Sequence, residues 1–256
     1  MTSTADAFLQ DLGELRTAHE SAAVPMGRIF ALAREHQEMA PSEIERLLEH
    51  PDHDVRVGAV SIMDWQARNR RTTEVRRREL FELYLGRHDR IDTWDLVDRA
   101  AIWVVGEHLR DKPRDDLDRL ARSGGPMERR TAILSTYAFI RRGQLDDTFR
   151  IAERLAQDRD ELVQKAVGWM LRESGKRDGD RLAGFLEAHA ATMPRVMLQY
   201  ALEKLDADRR RHYLGMRERS GAYGDDAAAG TDLAGHPREP KAAPRRPGRT
   251  SPPRSG

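Results

Sequence analysis

The sequence predicts an all-α protein, and three observations carry that prediction. Apolar residues recur at spacings of three and four from residue 5 to about residue 217, no stretch alternates as a half-buried strand would, and Pro or Gly interrupts the pattern every 10 to 18 residues. The first segment, MTSTADAFLQDLGELR, is acidic and amphipathic, unlike the basic region and apolar core of a signal peptide. Pro41-Ser42 then opens a stripe of Ile44, Leu47 and Leu48, and Pro51-Asp52 opens Val55, Ala59, Ile62 and Met63. Leu80, Leu83 and Tyr84 form a third stripe closed by Gly86, and Trp94, Val97, Ala101, Val104 and Val105 a fourth that ends before Pro113. Gly124-Gly125-Pro126, Gly143, Gly175 and Asp178-Gly179 punctuate the remainder, giving about a dozen helices with short links.

These helices repeat. VRVGAVSIM at 55, VDRAAIWVV at 97, ERRTAILST at 128 and VQKAVGWML at 163 share a polar residue followed by an apolar run, with a variant, PRVMLQYAL, from Pro194. The polar slot holds Arg56, Asp98, Arg129 and Gln164, separated by 42, 31 and 35 residues. A period near 35 built from paired antiparallel helices is the pattern of a HEAT-like or armadillo-type α-solenoid, whose stacked units leave a long concave groove. Residues 1–218 are assigned to this helical domain. Residues 219–256 lack apolar periodicity and are rich in Pro, Gly, Ala and Arg, so they are expected to form a disordered tail; residues 237–256 carry six Lys or Arg against one Glu.

The 256-residue chain contains no cysteine, which excludes disulfides, thiol nucleophiles and cysteine-based metal sites. Its longest apolar runs, such as AAIWVVG at 100–106, fall far below the roughly 20 residues a membrane span requires. A soluble, cytoplasmic, monomeric protein that needs no cofactor and no membrane is expected. Net charge is only +1, yet positive charge is bunched: between Gln66 and Arg90 eight Arg stand against four acids. Such bunching suits a nucleic-acid face, or merely a set of solvated helix surfaces. His50 and His53 flank a Pro in a helix link, a poor arrangement for zinc.

One stretch breaks the repeat pattern. IDTWDLVDRAA places Trp94 and Asp98 one turn apart on one helix face, and Asp98 occupies a slot that other repeats fill with Arg or Gln. The acid is either satisfied by a neighbour such as Arg99 or part of a site for a cation. In the stacked-repeat reading, Arg129 and Arg130 on the next repeat and Lys165 with Trp169 on the one after line the same groove.

WDLVD at 94–98, RRTAIL at 129–134 and QKAVGWMLRE at 164–173 together resemble the signature segments of the DNA alkylation repair family of HEAT-like-repeat glycosylases, over roughly residues 24–205. Residues 1–22 stand where that family usually has a longer N-terminal arm. The resemblance implies an active cleft of Trp94, Asp98, Arg130 and Trp169, and a lesion that stays stacked during the reaction.

Purines alkylated at N3 or N7 are cationic and leave a sugar that turns oxocarbenium-like. A preorganised carboxylate at Asp98 suits that charge and can position water, and the rings of Trp94 and Trp169 offer π faces worth about 0.5 to 2 kcal/mol each. Arg130, with Arg129 and Lys165, is expected to hold phosphate. The expected activity is therefore a monofunctional DNA glycosylase acting on double-stranded DNA that contains alkylated bases. The alternative is a non-catalytic HEAT-repeat scaffold that binds protein or structured nucleic acid in its groove.

Overall fold

A computed structural model describes residues 3–18 and 24–219, and within them every regular element is helical. The elements are α1 (Ala5–Thr17), α2 (Met26–Glu35), α3 (Pro41–Leu48), α4 (His53–Arg68), α5 (Glu74–Gly86), α6 (Trp94–Ala100), α7 (Asp115–Ala121), α8 (Pro126–Ser135), α9 (Tyr137–Ile140), α10 (Asp146–Arg154), α11 (Glu161–Gly175), α12 (Gly179–His189), α13 (Arg195–Leu202) and α14 (Ala207–Arg219). Short helical turns at His88–Arg90 and a π-helical segment at Ala101–Gly106 complete the list, the second continuing α6. The tail assigned to 219–256 lies, apart from Arg219 at the end of α14, outside the described residues.

The anticipated punctuation sits at helix ends. Pro41 and Pro126 occupy first-turn positions, where a missing N–H costs nothing. Asp52, Thr73, Asp160 and Asp178 cap α4, α5, α11 and α12 by accepting a backbone N–H with their side chains. Gly143 takes φ +76°, a conformation that favours glycine, in the turn before α10.

The helices form two rows. Successive members of the first row pack side by side: α2 on α4, α4 on α6, α6 on α8, α8 on α11, and α11 on α13. The second row, α3, α5, α7, α10 and α12, covers one side of the first, α3 and α5 against α4, α7 against α8, α12 against α11. Apolar stripes between the rows make one continuous core from Phe8 and Leu12 to Leu198 and Tyr213. No unit closes its own core, so each is stabilised by burial against the next, as a solenoid-like stack requires.

Close approach within the first row depends on glycine. A Cβ on Gly106 would stand 2.3 Å from the Ser135 carbonyl oxygen, and one on Gly168 would stand 2.4 Å from the Met197 carbonyl oxygen and 2.5 Å from Tyr200 Cβ. The glycine before Trp169 in the GW segment is thus a packing device that brings α11 onto α13.

Candidate active site

The polar slot is a loop clamp in three repeats. Arg56 Nη1 donates to the carbonyls of His50 and Pro51, Arg129 Nη1 to those of Ser123 and Gly124, and Gln164 Nε2 to that of Asp158. Each reaches back five or six residues and fastens the chain that enters its helix. The two arginines also bind the next repeat: Arg56 Nη2 donates to Asp92 at 3.2 Å, and Arg129 grips Asp158 through Nε at 2.6 Å and Nη2 at 3.1 Å. Arg129, expected to hold phosphate, has its Nε, Nη1 and Nη2 donating to groups within the fold.

Asp98 cannot make that clasp, since an ionised carboxylate has no proton to donate. It faces the neighbouring helix instead. Arg130 Nε donates to Asp98 Oδ1 at 2.7 Å and Arg130 Nη2 to Asp98 Oδ2 at 2.8 Å, a two-pronged pair between α8 and α6. Arg130 Nη1 donates further to the Leu162 carbonyl in the first turn of α11. One guanidinium thus ties three successive first-row helices together. Both side chains are nearly buried, 7 % exposed for Asp98 and 6 % for Arg130. Burial pushes the Asp98 carboxyl above its ordinary range, Arg130 pulls in the other direction without cancelling it, and nearby Asp95 adds to the rise.

The bland partner anticipated for Asp98, Arg99, turns elsewhere. Its Nε donates to Ser61 Oγ at 3.0 Å and its Nη1 lies 3.1 Å from the buried Asp64. Asp95, between Trp94 and Asp98 on the same short helix, lies 2.8 Å from His53 Nε2 on α4.

Trp94 opens α6 and is 42 % exposed, one of the few large apolar side chains presented to solvent. Trp169 is half-buried on α11 and meets the Tyr137 ring at 6.5 Å between centroids. Lys165, one turn before Trp169, pairs with Glu161 at 2.6 Å on an exposed part of the helix. Of the expected constellation, the structure joins Asp98 to Arg130, leaves the Trp94 ring open one turn away, and places Lys165 and Trp169 together on α11.

Behind Arg130 lies a buried polar cluster the sequence did not announce. Thr131 Oγ1 lies 3.1 Å from Tyr84 Oη and 2.9 Å from His88 Nε2, and burial raises the Tyr84 pKa and lowers that of His88. These groups hold the start of α8, and with it Arg130, against α5 and the His88 turn.

The family profile described as DNA alkylation repair enzyme matches residues 14–205, most of the chain. The chain belongs to the DNA alkylation repair enzyme family. No curated protein matches it. Membership makes DNA the substrate and repair of alkylation damage the task of the fold. For a DNA alkylation repair enzyme, the matched span takes in both the Asp98–Arg130 pair and the Trp94 and Trp169 rings. No helix among the described residues is long and apolar enough to cross a membrane.

Aromatic residues recur along this repair enzyme with the period of the repeat. Phe30, Trp65, Trp103, Tyr137, Trp169 and Tyr200 follow one another at separations of 35, 38, 34, 32 and 31 residues. Each is half-buried: Phe30, Trp65, Trp169 and Tyr200 lie on first-row helices, Trp103 on the π-helical segment that continues α6, and Tyr137 at the start of α9, directly after α8. The signal for this row in the sequence is its spacing of about one repeat, toward the far end of each helix from the polar slot.

Proposed function

We propose that the protein is a monofunctional DNA glycosylase that hydrolyses the N-glycosidic bond of cationic N3- or N7-alkylated purines in duplex DNA. The observation that carries this reading is the Asp98 carboxylate, fixed by a two-pronged guanidinium and flanked one turn away by an exposed indole, in a chain of this family. Arg130 takes one lone pair from each carboxylate oxygen, and an ionised carboxylate has about four acceptor sites. Those left over can orient a water and face a sugar that is becoming positive, without reorganisation at the moment of reaction. Trp94 offers its ring to the cationic nucleotide, and Trp169 on α11 is assigned the part of a second ring.

Arg130 acts in this scheme as a positioning residue. Its donors to Asp98 and Leu162 are engaged, so it works through the carboxylate, and the phosphate contact passes to Lys165. The reaction consumes one water, breaks the bond between C1′ and the purine nitrogen, and leaves an abasic sugar and the free base.

The decisive experiment is release of N7-methylguanine or N3-methyladenine from methylated duplex DNA. Wild-type protein is expected to release base, and Asp98→Asn to lower the rate at least about tenfold with an unchanged helical spectrum. The second reading, a non-catalytic scaffold, has one observation in its favour: the Arg130 pair would serve equally as a brace between repeats. A wild-type preparation that binds DNA and releases no base would decide for the scaffold.

A further inference from the structure

The aromatic row is bridged by arginines in its N-terminal half. Arg34 lies 5.2 Å from the Trp65 ring centroid, Arg68 lies 6.0 Å from Trp65 and 4.6 Å from Trp103, and Arg141 lies 4.6 Å from Trp103. The order Arg34, Trp65, Arg68, Trp103, Arg141 is a continuous stack of guanidinium and indole across α2, α4, the π-helical segment and α9. Arg99 supports it from within, 4.3 Å from Phe30 and 5.4 Å from Trp65. Trp65 is locked in place, its indole N–H donating to the Phe30 carbonyl at 3.0 Å.

Charge in this stack is under-compensated. Arg68 and Arg99 share one fully buried carboxylate, Asp64. Arg141 stands 4.0 Å from Glu107, which is already held by Arg142 at 2.9 Å and Arg110 at 3.4 Å. Arg34 is exposed, and its guanidinium makes neither hydrogen bond nor ion pair among the described residues. Arg70 and Arg71 follow directly at the end of α4, both exposed. A guanidinium laid on a ring keeps its N–H edge free while losing the freedom it would otherwise surrender on binding, which suits it to a phosphate oxygen.

We propose that this stack is a phosphate track that grips the sugar–phosphate backbone of duplex DNA through residues other than Asp98 and Arg130, with Arg34, Arg68 and Arg141 as the contacting groups. The geometry favours backbone over bases. Trp103 is half-buried and already holds two guanidiniums, those of Arg68 and Arg141, each 4.6 Å from its ring centroid, so a base would have to displace a cation to stack there. Neighbouring first-row helices stand roughly 8–10 Å apart, too far for rungs to follow bases stacked about 3.4 Å apart. The proposal needs only that the substrate is DNA, and it holds whether or not Asp98 cleaves a glycosidic bond.

The test is equilibrium binding of the full chain to an undamaged duplex across a salt series, a readout that involves no base release. Arg34→Gln and Arg141→Gln alter exposed side chains: the Arg34 guanidinium pairs with no acid among the described residues, and Glu107 beside Arg141 keeps Arg142 and Arg110. Each is expected to weaken binding several-fold and to reduce the slope of log affinity against log salt by about one, the double variant by about two. Arg141→Lys should keep the slope. Arg154→Gln, an exposed change in the second row, should leave both quantities unaltered. Unchanged slopes in the double variant would overturn the proposal. So would an oligo-dT single strand that binds as tightly as duplex and is lost on Trp103→Leu, since that result assigns the rings to bases.

Discussion

Arg130 reaches from α8 to hold both carboxylate oxygens of Asp98 on α6, at 2.7 and 2.8 Å, in a site where both side chains are almost wholly buried. A buried ion pair is a weak source of net stability, because desolvation offsets attraction, but removing one partner strands the other. Arg130→Ala is therefore expected to destabilise the fold by about 3–5 kcal/mol. Arg130→Lys keeps the charge and loses the fork, so it should fold, release alkylpurine at least about tenfold more slowly, and leave the salt dependence of DNA binding unchanged. Denaturant midpoints and single-turnover rates check both. A flattened salt slope in Arg130→Lys would return Arg130 to direct phosphate contact.

The raised pKa of Asp98 gives base release a specific acid limb. The proposed chemistry uses the ionised carboxylate, so kcat/KM should fall as pH falls through the folded pKa, with a midpoint above the ordinary 3.8. Single-turnover rates from pH 8 to pH 4 locate it. A midpoint at or below the ordinary value, or the same limb in the residual rate of Asp98→Asn, would assign the titration to another group.

How far the sequence revealed these features depends on whether the signal was local. Helix ends were legible because Pro41, Pro126, Asp52 and Asp178 act on their own backbone. The periodicity aligns the slot residues but does not give their direction: Arg56, Arg129 and Gln164 turn back to loop carbonyls five or six residues away. Asp98 was singled out because it broke that pattern, but its partner was not legible, since Arg99 is adjacent in sequence and Arg130 only in space. A ring four residues from a carboxylate can be read from periodicity. The choice between two guanidiniums is made by packing between α6 and α8.

Two histidines should make stability fall in mild acid. His88 is buried beside Thr131, and His108 stacks on Phe81 at 4.3 Å; burial lowers both pKa values below 6.5. The unfolded chain therefore takes up protons near pH 6.5 while the folded chain resists. The stability these neutral rings contribute is complete above pH 6.5 and is lost as pH falls through their folded pKa values. Asp64 and Asp98, whose pKa values are raised, act in the opposite sense, their contribution growing as pH falls. Comparison isolates the histidines: melting temperature between pH 7.5 and pH 5 should fall more steeply in wild type than in the His88→Gln His108→Gln variant. Parallel curves would show that these rings accept protons freely in the fold.

Gly168 offers a test of the stack that is independent of charge. A methyl at that position would lie 2.4 Å from a backbone oxygen and 2.5 Å from Tyr200 Cβ on α13, and neither neighbour is the end of a flexible chain. Alanine favours a helix interior by about 1 kcal/mol over glycine, so propensity alone predicts stabilisation. Overpacking between rigid backbones costs about 1–3 kcal/mol, and here it should win because α11 and α13 would have to move apart. Gly168→Ala is thus expected to lower the denaturant midpoint, and the strain should reach Trp169, the next residue. Quenching of the Trp169 indole by iodide, read against a Trp169→Phe control, should increase in the alanine variant. A more stable variant with unchanged quenching would mean that the last repeats are packed more loosely than the Gly168–Met197 approach requires.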